Sequence, residues 1–347
     1  MNFHILTIPQ IPTVKRYSSF PFNSLIINFS KMLIDNEQTV YYYGHEENDV
    51  CYSSLINLIP KDFYYETYSK EKLLTGIPSY SADSEVIKRF NNNVYKEVNE
   101  RLSSEDIVLA FYGVEHEYAC QQINCINVEP AIGYINTFSK NKIYASHSHM
   151  ACSTVDSGSI KSPTDTVIPH MFDEDDFTYK NIKEDYFLYL GRISTSKGCD
   201  IIDNLCKELK FKLKVAGIQV DYKFECEHEY IGSVDPVTRK ELLSNAKALI
   251  APTQYFEPFG QIVIEALLSG TPVITTDWGA FVETNVDGIT GYRCSTYKDF
   301  IIAIKNIEKI KPINCRQQGE KYLINNLKDN YLTYMEFILN YYDSNTQ

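Results

Sequence analysis

The sequence predicts an α/β protein of two Rossmann-like domains that face each other across a cleft. Three observations carry this. The 347 residues are enough for two domains with cores of their own. Short apolar runs alternate with helical patterns, the signature of βαβ units and parallel sheets. The alternation then breaks at a charged, Pro-bearing stretch, "PHMFDEDDFTYKNIKED" (169–185), and starts again.

In the first half, "FHILTIP" (3–9) reads as a strand. Phe22, Leu25, Phe29, Met32 and Leu33 fall at helical spacing after it. "TVYYYG" (39–44) is the next strand, residues 46–83 read as irregular and tyrosine-rich, and 81–103 reads as a helix. Strands are expected at 106–113, 123–130, 142–146 and 165–169. After the linker come strands at 186–191, 211–217 and 230–234. A helix follows with Asp235 as its cap and Pro236 at its first position. Then come a strand (248–252), a helix ending at Gly270, a strand (272–277) and two closing helices, the last of which is expected to cross back to the first domain. The divisions are 1–168, a linker 169–185, 186–325, and the final helix 326–347.

Composition narrows the function. A net charge of −12 argues against a nucleic-acid partner. The nine cysteines show no zinc spacing and fit reduced thiols in a cytoplasmic compartment. The N-terminus lacks the basic start of a signal peptide. No run approaches the ~20 apolar residues of a membrane span, which leaves peripheral membrane contact open. The triplet Asn28-Phe29-Ser30 falls inside a helix and reads as chance. An NAD-dependent dehydrogenase would need G-x-G-x-x-G after an early strand, and the sequence has none there.

Ligands of open α/β sheets bind at the carboxyl ends of the strands. In "YLGRISTSKG" (189–198), Arg192 and Lys197 lie in such a loop, where a planar fork and a compact charge suit phosphate oxygens; the bland alternative is two solvated cations. In "APTQYFEPFGQIVIEALLSG", a loop crosses the same edge and a helix starts near Phe259–Gly260. Its unpaired N–H groups make an anion site, and Gly260 lets a ligand approach closely. Glu257 and Glu265 are separated by seven residues. The first could meet the hydroxyls of a sugar beyond a diphosphate and the second a ribose, since carboxylates accept well from diols. Alternatively, Glu257 is a loop carboxylate in water, while Glu265, between Ile264 and Ala266, needs a partner if it is buried.

These segments, with "EPFGQIVIEALLSGTPVITTDWGAFVETNVDGITGY" and the E-x7-E pair, resemble glycosyltransferase family 4, specifically and in order through about 186–295. "TVIPHMFDEDDF" (166–177) supports the likeness, and the first 165 residues match loosely, in strand–helix order and in "EPAIGY" (129–134). The resemblance implies a retaining, nucleotide-sugar-dependent enzyme of the GT-B fold. It implies that Arg192 and Lys197 hold the donor diphosphate, and that Glu257 with the backbone of Phe259, Gly260 and Gln261 holds the transferred sugar. Glu265 would bind the ribose, with Gly217, Gly232 and Val234 near the base. It also implies no metal and no other cofactor, a donor such as a UDP- or GDP-linked hexose, and a glycan, lipid-linked or small-molecule acceptor. Relatives often carry a polar residue at the position of Glu129 that touches the donor sugar; a surface or helix-capping role is the alternative. Many relatives also have a Gly-Gly turn after the first strand. Here that stretch is "IPQIPTVKRYSSFP", where Lys15 or Arg16 could substitute.

Other features are weaker. His147 and His149 would share a face if they lay on a strand, but no further zinc ligands are evident. "EHE" at 115–117 and 227–229 reads as solvated charge, and the tyrosines of 41–80 could stack sugars or fill a core. Competing functions on the same fold are a nucleotide-sugar epimerase or hydrolase and a non-catalytic nucleotide-sugar-binding protein.

Overall fold

In the computed structural model the described residues are all except 18–19, 69–83, 135, 159–160 and 346–347. The chain divides into two compact units. The first comprises 1–145, 150–171 and 327–347; the second comprises 146–149 and 172–326.

Among the described residues, the first unit is built on seven parallel strands. In chain order they are β1 (Asn2–Leu6), β2 (Thr39–His45), β3 (Ser54–Ile59), β4 (Asp106–Ala110), β5 (Ile126–Ile132), β6 (Asn141–Tyr144) and β7 (Thr166–Val167), arranged 3-2-1-4-5-6-7. Its helices are α1 (Pro21–Asp35), α2 (Lys61–Thr67), α3 (Glu85–Asn99) and the short α4 (Glu117–Cys120). Then come α5 (His147–Ser157), which starts in residues of the second unit, and the body of the last helix. β3 and α2 correct the expectation of an irregular 46–83, of which 69–83 lies outside the described residues. The alternation of Ile56 and Leu58 toward the core is the signal there, on a strand only six residues long. Tyr42, Tyr43 and Tyr64 are core side chains, each at most 1% exposed, and so unavailable to stack a ligand. Asn28 is also buried inside α1, its Nδ2 donating to Met171 O at 3.0 Å.

β1 ends at Leu6, earlier than the apolar run suggests, because Thr7–Val14 leaves the sheet as a buried loop. Side chains satisfy its carbonyls: His116 Nε2 on Thr7 O (3.0 Å), His45 Nε2 on Pro9 O (2.7 Å), Tyr64 Oη on Gln10 O (3.0 Å) and Asn23 Nδ2 on Pro12 O (2.9 Å). Burial lowers both imidazoles to about 4, so they stay neutral donors at physiological pH. At the opposite end of the same strands, buried His4 bridges Tyr43 Oη (2.8 Å) and Asp106 Oδ2 (2.9 Å).

The second unit has six parallel strands: β8 (Phe187–Leu190), β9 (Leu213–Ala216), β10 (Glu229–Gly232), β11 (Ala248–Ala251), β12 (Val273–Thr276) and β13 (Gly291–Cys294), in the order 10-9-8-11-12-13. Its helices are α6 (Cys199–Leu209), α7 (Pro236–Asn245), α8 (Gln261–Leu268), α9 (Phe281–Thr284), α10 (Tyr297–Asn306) and α11 (Pro312–Glu320). Asp235 caps α7 through Thr238 N at 2.8 Å, with Pro236 first in the helix. β13 has weak strand character in sequence, starting at Gly291 and following a turn.

Residues 172–185 are not a free linker. They belong to the second unit, where Phe172 exchanges backbone hydrogen bonds with Tyr322 (2.9 Å) and Ile324 (3.0 Å). Lys183 Nζ donates to Ser244 O, Ser269 O and Thr271 Oγ1 at 2.8–2.9 Å, tying the ends of α7 and α8 together. The last helix, α12 (Ile324–Asn345), passes from the second unit into the first at Leu327. Within the first unit Tyr331 Oη donates to Pro169 O (2.8 Å), Tyr334 Oη to Thr164 O (2.8 Å), and the Tyr331 ring meets Phe29 edge-on.

Candidate functional site

In the second unit the strand order reverses between β8 and β11, the switch point at which open α/β sheets bind ligands. The loops after those two strands carry the expected site. Gly198 fastens them together: at φ +74° it takes a conformation that favours glycine, and a Cβ there would lie 2.1 Å from Pro252 O. Gln254 N also donates to Ser196 O at 3.0 Å.

Lys197, from the first loop, places Nζ 2.7 Å from Oε2 of Glu257, from the second. Both side chains are mostly buried. Burial pulls the Lys197 pKa down, but the charge and hydrogen bonding of Glu257, with Tyr255, outweigh it and the net shift is upward. Tyr255 completes the cluster, its hydroxyl 3.0 Å from the same Oε2 and its ring 4.6 Å from Nζ. Tyr255 is a residue that sequence reasoning missed; its place two residues before Glu257 was the available signal. Arg192 follows β8 and is exposed, and among the described residues its guanidinium has no carboxylate in ion-pair range.

Gly260 caps α8 at φ +76°, and a Cβ would strike the Phe281 ring at 2.5 Å. Gln261 is the first helical residue; Val263 N donates to Gly260 O at 2.9 Å, while the N–H groups of Gln261 and Ile262 have no acceptor among the described residues. The Phe259 side chain is 3% exposed and meets the rings of Phe172 and Tyr322, which leaves only its backbone for a ligand. Glu265, inside α8, is buried and has a partner: Arg239 of α7 reaches its Oε2 through Nε (2.7 Å) and Nη2 (2.5 Å). Nothing in the spacing from 239 to 265 announces this pair. Oε1 carries no hydrogen bond among the described residues. Gly217 follows β9 and donates its N–H to Gly232 O at 2.8 Å, while Val234 is half-buried beyond β10. A Cβ on Gly217 would fall 1.7 Å from Gly191 O, so the loops after β8 and β9 are in backbone contact.

Two expectations change. Glu129 is neither a ligand-facing nor a surface carboxylate: it is fully buried in the first unit. Its Oε2 accepts from Phe138 N (2.9 Å) and Ser139 N (2.7 Å), and its Oε1 from Tyr134 Oη (3.1 Å). Burial raises its pKa to about 7 against these hydrogen bonds. Arg16 pairs with Glu47 (2.8 Å) and donates to Tyr65 Oη (3.2 Å). His147 and His149 open the helix α5, where residues two apart point in different directions; the strand premise fails. Among the described residues there is no cluster of three or more His, Cys, Asp or Glu able to hold a metal ion, and no helix long and apolar enough to cross a membrane.

An alpha-1,3/1,6-mannosyltransferase of Dictyostelium discoideum is 34% identical over 141 residues, which is 40% of this chain and 31% of that protein. An O-antigen chain mannosyltransferase of Salmonella typhimurium is 30% identical over 158 residues, 42% of this chain and 44% of its own. The chain thus spans less than half the length of either relative. The sucrose-phosphate synthase structure from Thermosynechococcus elongatus superposes with a TM-score of 0.68 at 16% identity, covering 99% of this chain and 98% of that one. The fold is therefore GT-B, and residues 172–322, which hold Arg192, Lys197, Glu257 and Glu265, match the family model described as glycosyl transferases group 1.

Proposed function

We propose that the protein is a retaining glycosyltransferase that moves a hexose-type sugar from a nucleoside-diphosphate sugar to a glycan, lipid-linked or small-molecule acceptor, without a metal. The observation that carries this is the convergence of Lys197, Glu257 and the start of α8 at the switch point, with Arg192 in the same loop as Lys197. In this reading Arg192, Lys197 and the free N–H groups of α8 receive the diphosphate. Glu257 and the backbone of Phe259, Gly260 and Gln261 receive the sugar. The free oxygen of Glu265 accepts from the ribose while Arg239 holds the other oxygen, and Gly217, Gly232 and Val234 border the base.

Breaking the donor's C1–O bond builds positive charge on the sugar and negative charge on the leaving diphosphate. Fixed cations and N–H dipoles aimed at that charge lower the barrier. Lys197 is kept protonated by Glu257, so it meets the leaving group as a full cation. Retention follows from attack on the face the leaving group vacates, which needs no protein nucleophile.

Thermal unfolding in the presence of a panel of nucleotide sugars tests the reading. A true donor at ~100 times its Kd adds about 2.7 kcal/mol of stability. If no member of a UDP- and GDP-sugar panel shifts the midpoint, the reading is wrong. Product masses then separate transfer from epimerisation, which leaves the donor's mass unchanged.

A further inference from the structure

Trp278 is the sole tryptophan of the chain, and none of the roles above uses it. It stands two residues beyond β12, on the carboxyl edge of the second sheet, and is 44% exposed. Its indole is nevertheless fixed. Nε1 donates to Thr253 O at 3.2 Å, the carbonyl that also accepts from Thr276 Oγ1 at 2.9 Å. The Phe256 ring braces it from the side, with centroids 6.4 Å apart and planes at 62°.

The backbone beyond it is locked to Glu257. Ala280 N donates to Glu257 O at 2.9 Å, and Gly279, at φ +60°, comes so close that a Cβ would lie 2.8 Å from that oxygen. The loops after β11 and β12 are therefore cross-linked on both sides of Trp278, through Thr253 and through Glu257. An immobilised, half-open indole and the Glu257 carboxylate share one rigid frame.

That combination matches the two-sided chemistry of a pyranose. Its axial C–H face is apolar and lies flat on an aromatic ring, and its hydroxyls donate to a carboxylate. We infer that Trp278, braced by Phe256, is a stacking platform for a pyranose ring beside Glu257 and a specificity-determining residue of the site. The inference rests on the sugar-transfer reading of that site. The ring can come from the donor or from the acceptor, and the two are separated by experiment.

Because the chain has a single tryptophan, emission excited on the red edge, beyond the absorption of its 27 tyrosines, reports Trp278 alone. The full chain is titrated with UDP and GDP, then UDP-glucose and GDP-mannose, then free glucose and mannose oligosaccharides with the nucleoside diphosphate present. Thermal shifts are recorded on the same samples. Nucleoside diphosphates should leave the emission unchanged, and sugar-bearing ligands should change it. A response to nucleotide sugars assigns the ring to the donor; a response to the saccharides assigns it to the acceptor. Trp278→Ala should weaken the responding ligand about tenfold, with nucleoside diphosphate affinity within about twofold, and Trp278→Phe should retain most of it. The wild-type emission does not depend on either variant folding. If nucleotide sugars raise the melting temperature yet neither they nor the saccharides move the emission, the platform is refuted and the sugar-transfer reading stands. If no nucleotide sugar shifts the melting temperature, that reading falls and the platform falls with it.

Discussion

Lys197 Nζ and Glu257 Oε2 lie 2.7 Å apart, joining the loops after β8 and β11 at the point where the second sheet changes direction. With the side chains 20% and 13% exposed, each needs the other. Lys197→Ala should lower kcat/KM for sugar transfer by about 10²–10³-fold. Because Glu257 is then largely buried without its cation, it should also cost about 1–3 kcal/mol in chemical denaturation. Lys197→Met with unchanged turnover would remove the lysine from the mechanism. The raised Lys197 pKa also sets a pH range: its contribution is fully present below the ordinary lysine value of 10.5 and fades only as pH rises beyond it. Stability lost between pH 7 and 9 should therefore persist in Lys197→Met.

Glu129 gives the first unit a pH signature of opposite origin. Its folded pKa of about 7 is above the ordinary 4.5. The stability it contributes is then complete below about pH 4.5 and is lost as pH rises through about 7. The difference between wild type and Glu129→Gln, measured by denaturation from pH 4.5 to 8, should change by up to about 3 kcal/mol across that window. A difference that is flat with pH would mean the carboxyl is ionised throughout.

Gly198 is a backbone requirement. A methyl group there meets Pro252 O at 2.1 Å in a left-handed conformation. Gly198→Ala should cost about 2–4 kcal/mol and separate the two site loops. Nucleotide-sugar binding should fall along with stability. A variant with wild-type stability and affinity would show that this contact is not structural.

Arg239 and Glu265 should behave as one unit. Single and double replacement, Arg239→Ala with Glu265→Ala, should show a coupling of about 1–3 kcal/mol in unfolding free energy. If the free oxygen of Glu265 meets the ribose, wild type should prefer the ribose donor over its 2′-deoxy analogue, and Glu265→Ala should lose that preference. An unchanged preference would restrict Glu265 to holding Arg239.

What the sequence made legible follows the physics of strand ends. Apolar runs locate β8, β9, β11 and β12, and the loops that follow them must lie on the carboxyl edge of the sheet; this is why the position of Arg192, Lys197, Glu257 and Gly260 on that edge is legible in the sequence. The start of α8 was readable too, because Gly260 breaks the apolar run at its cap. What stayed hidden depends on partners distant in the chain. Lys183 sits in a charged stretch that looks solvated, yet it donates to residues 61–88 positions away. Arg239 finds Glu265 across 26 positions, and Glu129 turns inward to hold a loop that carries no periodic signal. α5 was missed because "HSHMACSTVDS" has little apolar periodicity; Glu283 accepts from the N–H groups of His147 (3.0 Å) and Ser148 (2.8 Å) at its start.

Sugar transfer from the responsive nucleotide sugar, followed by mass spectrometry with wild type, Arg192→Ala and Glu257→Ala, tests the central claim most directly. Circular dichroism should first show all three folded. A site that works through these residues predicts that both variants are slower by about 10²-fold or more. Folded variants that transfer or hydrolyse the donor as fast as wild type would contradict it.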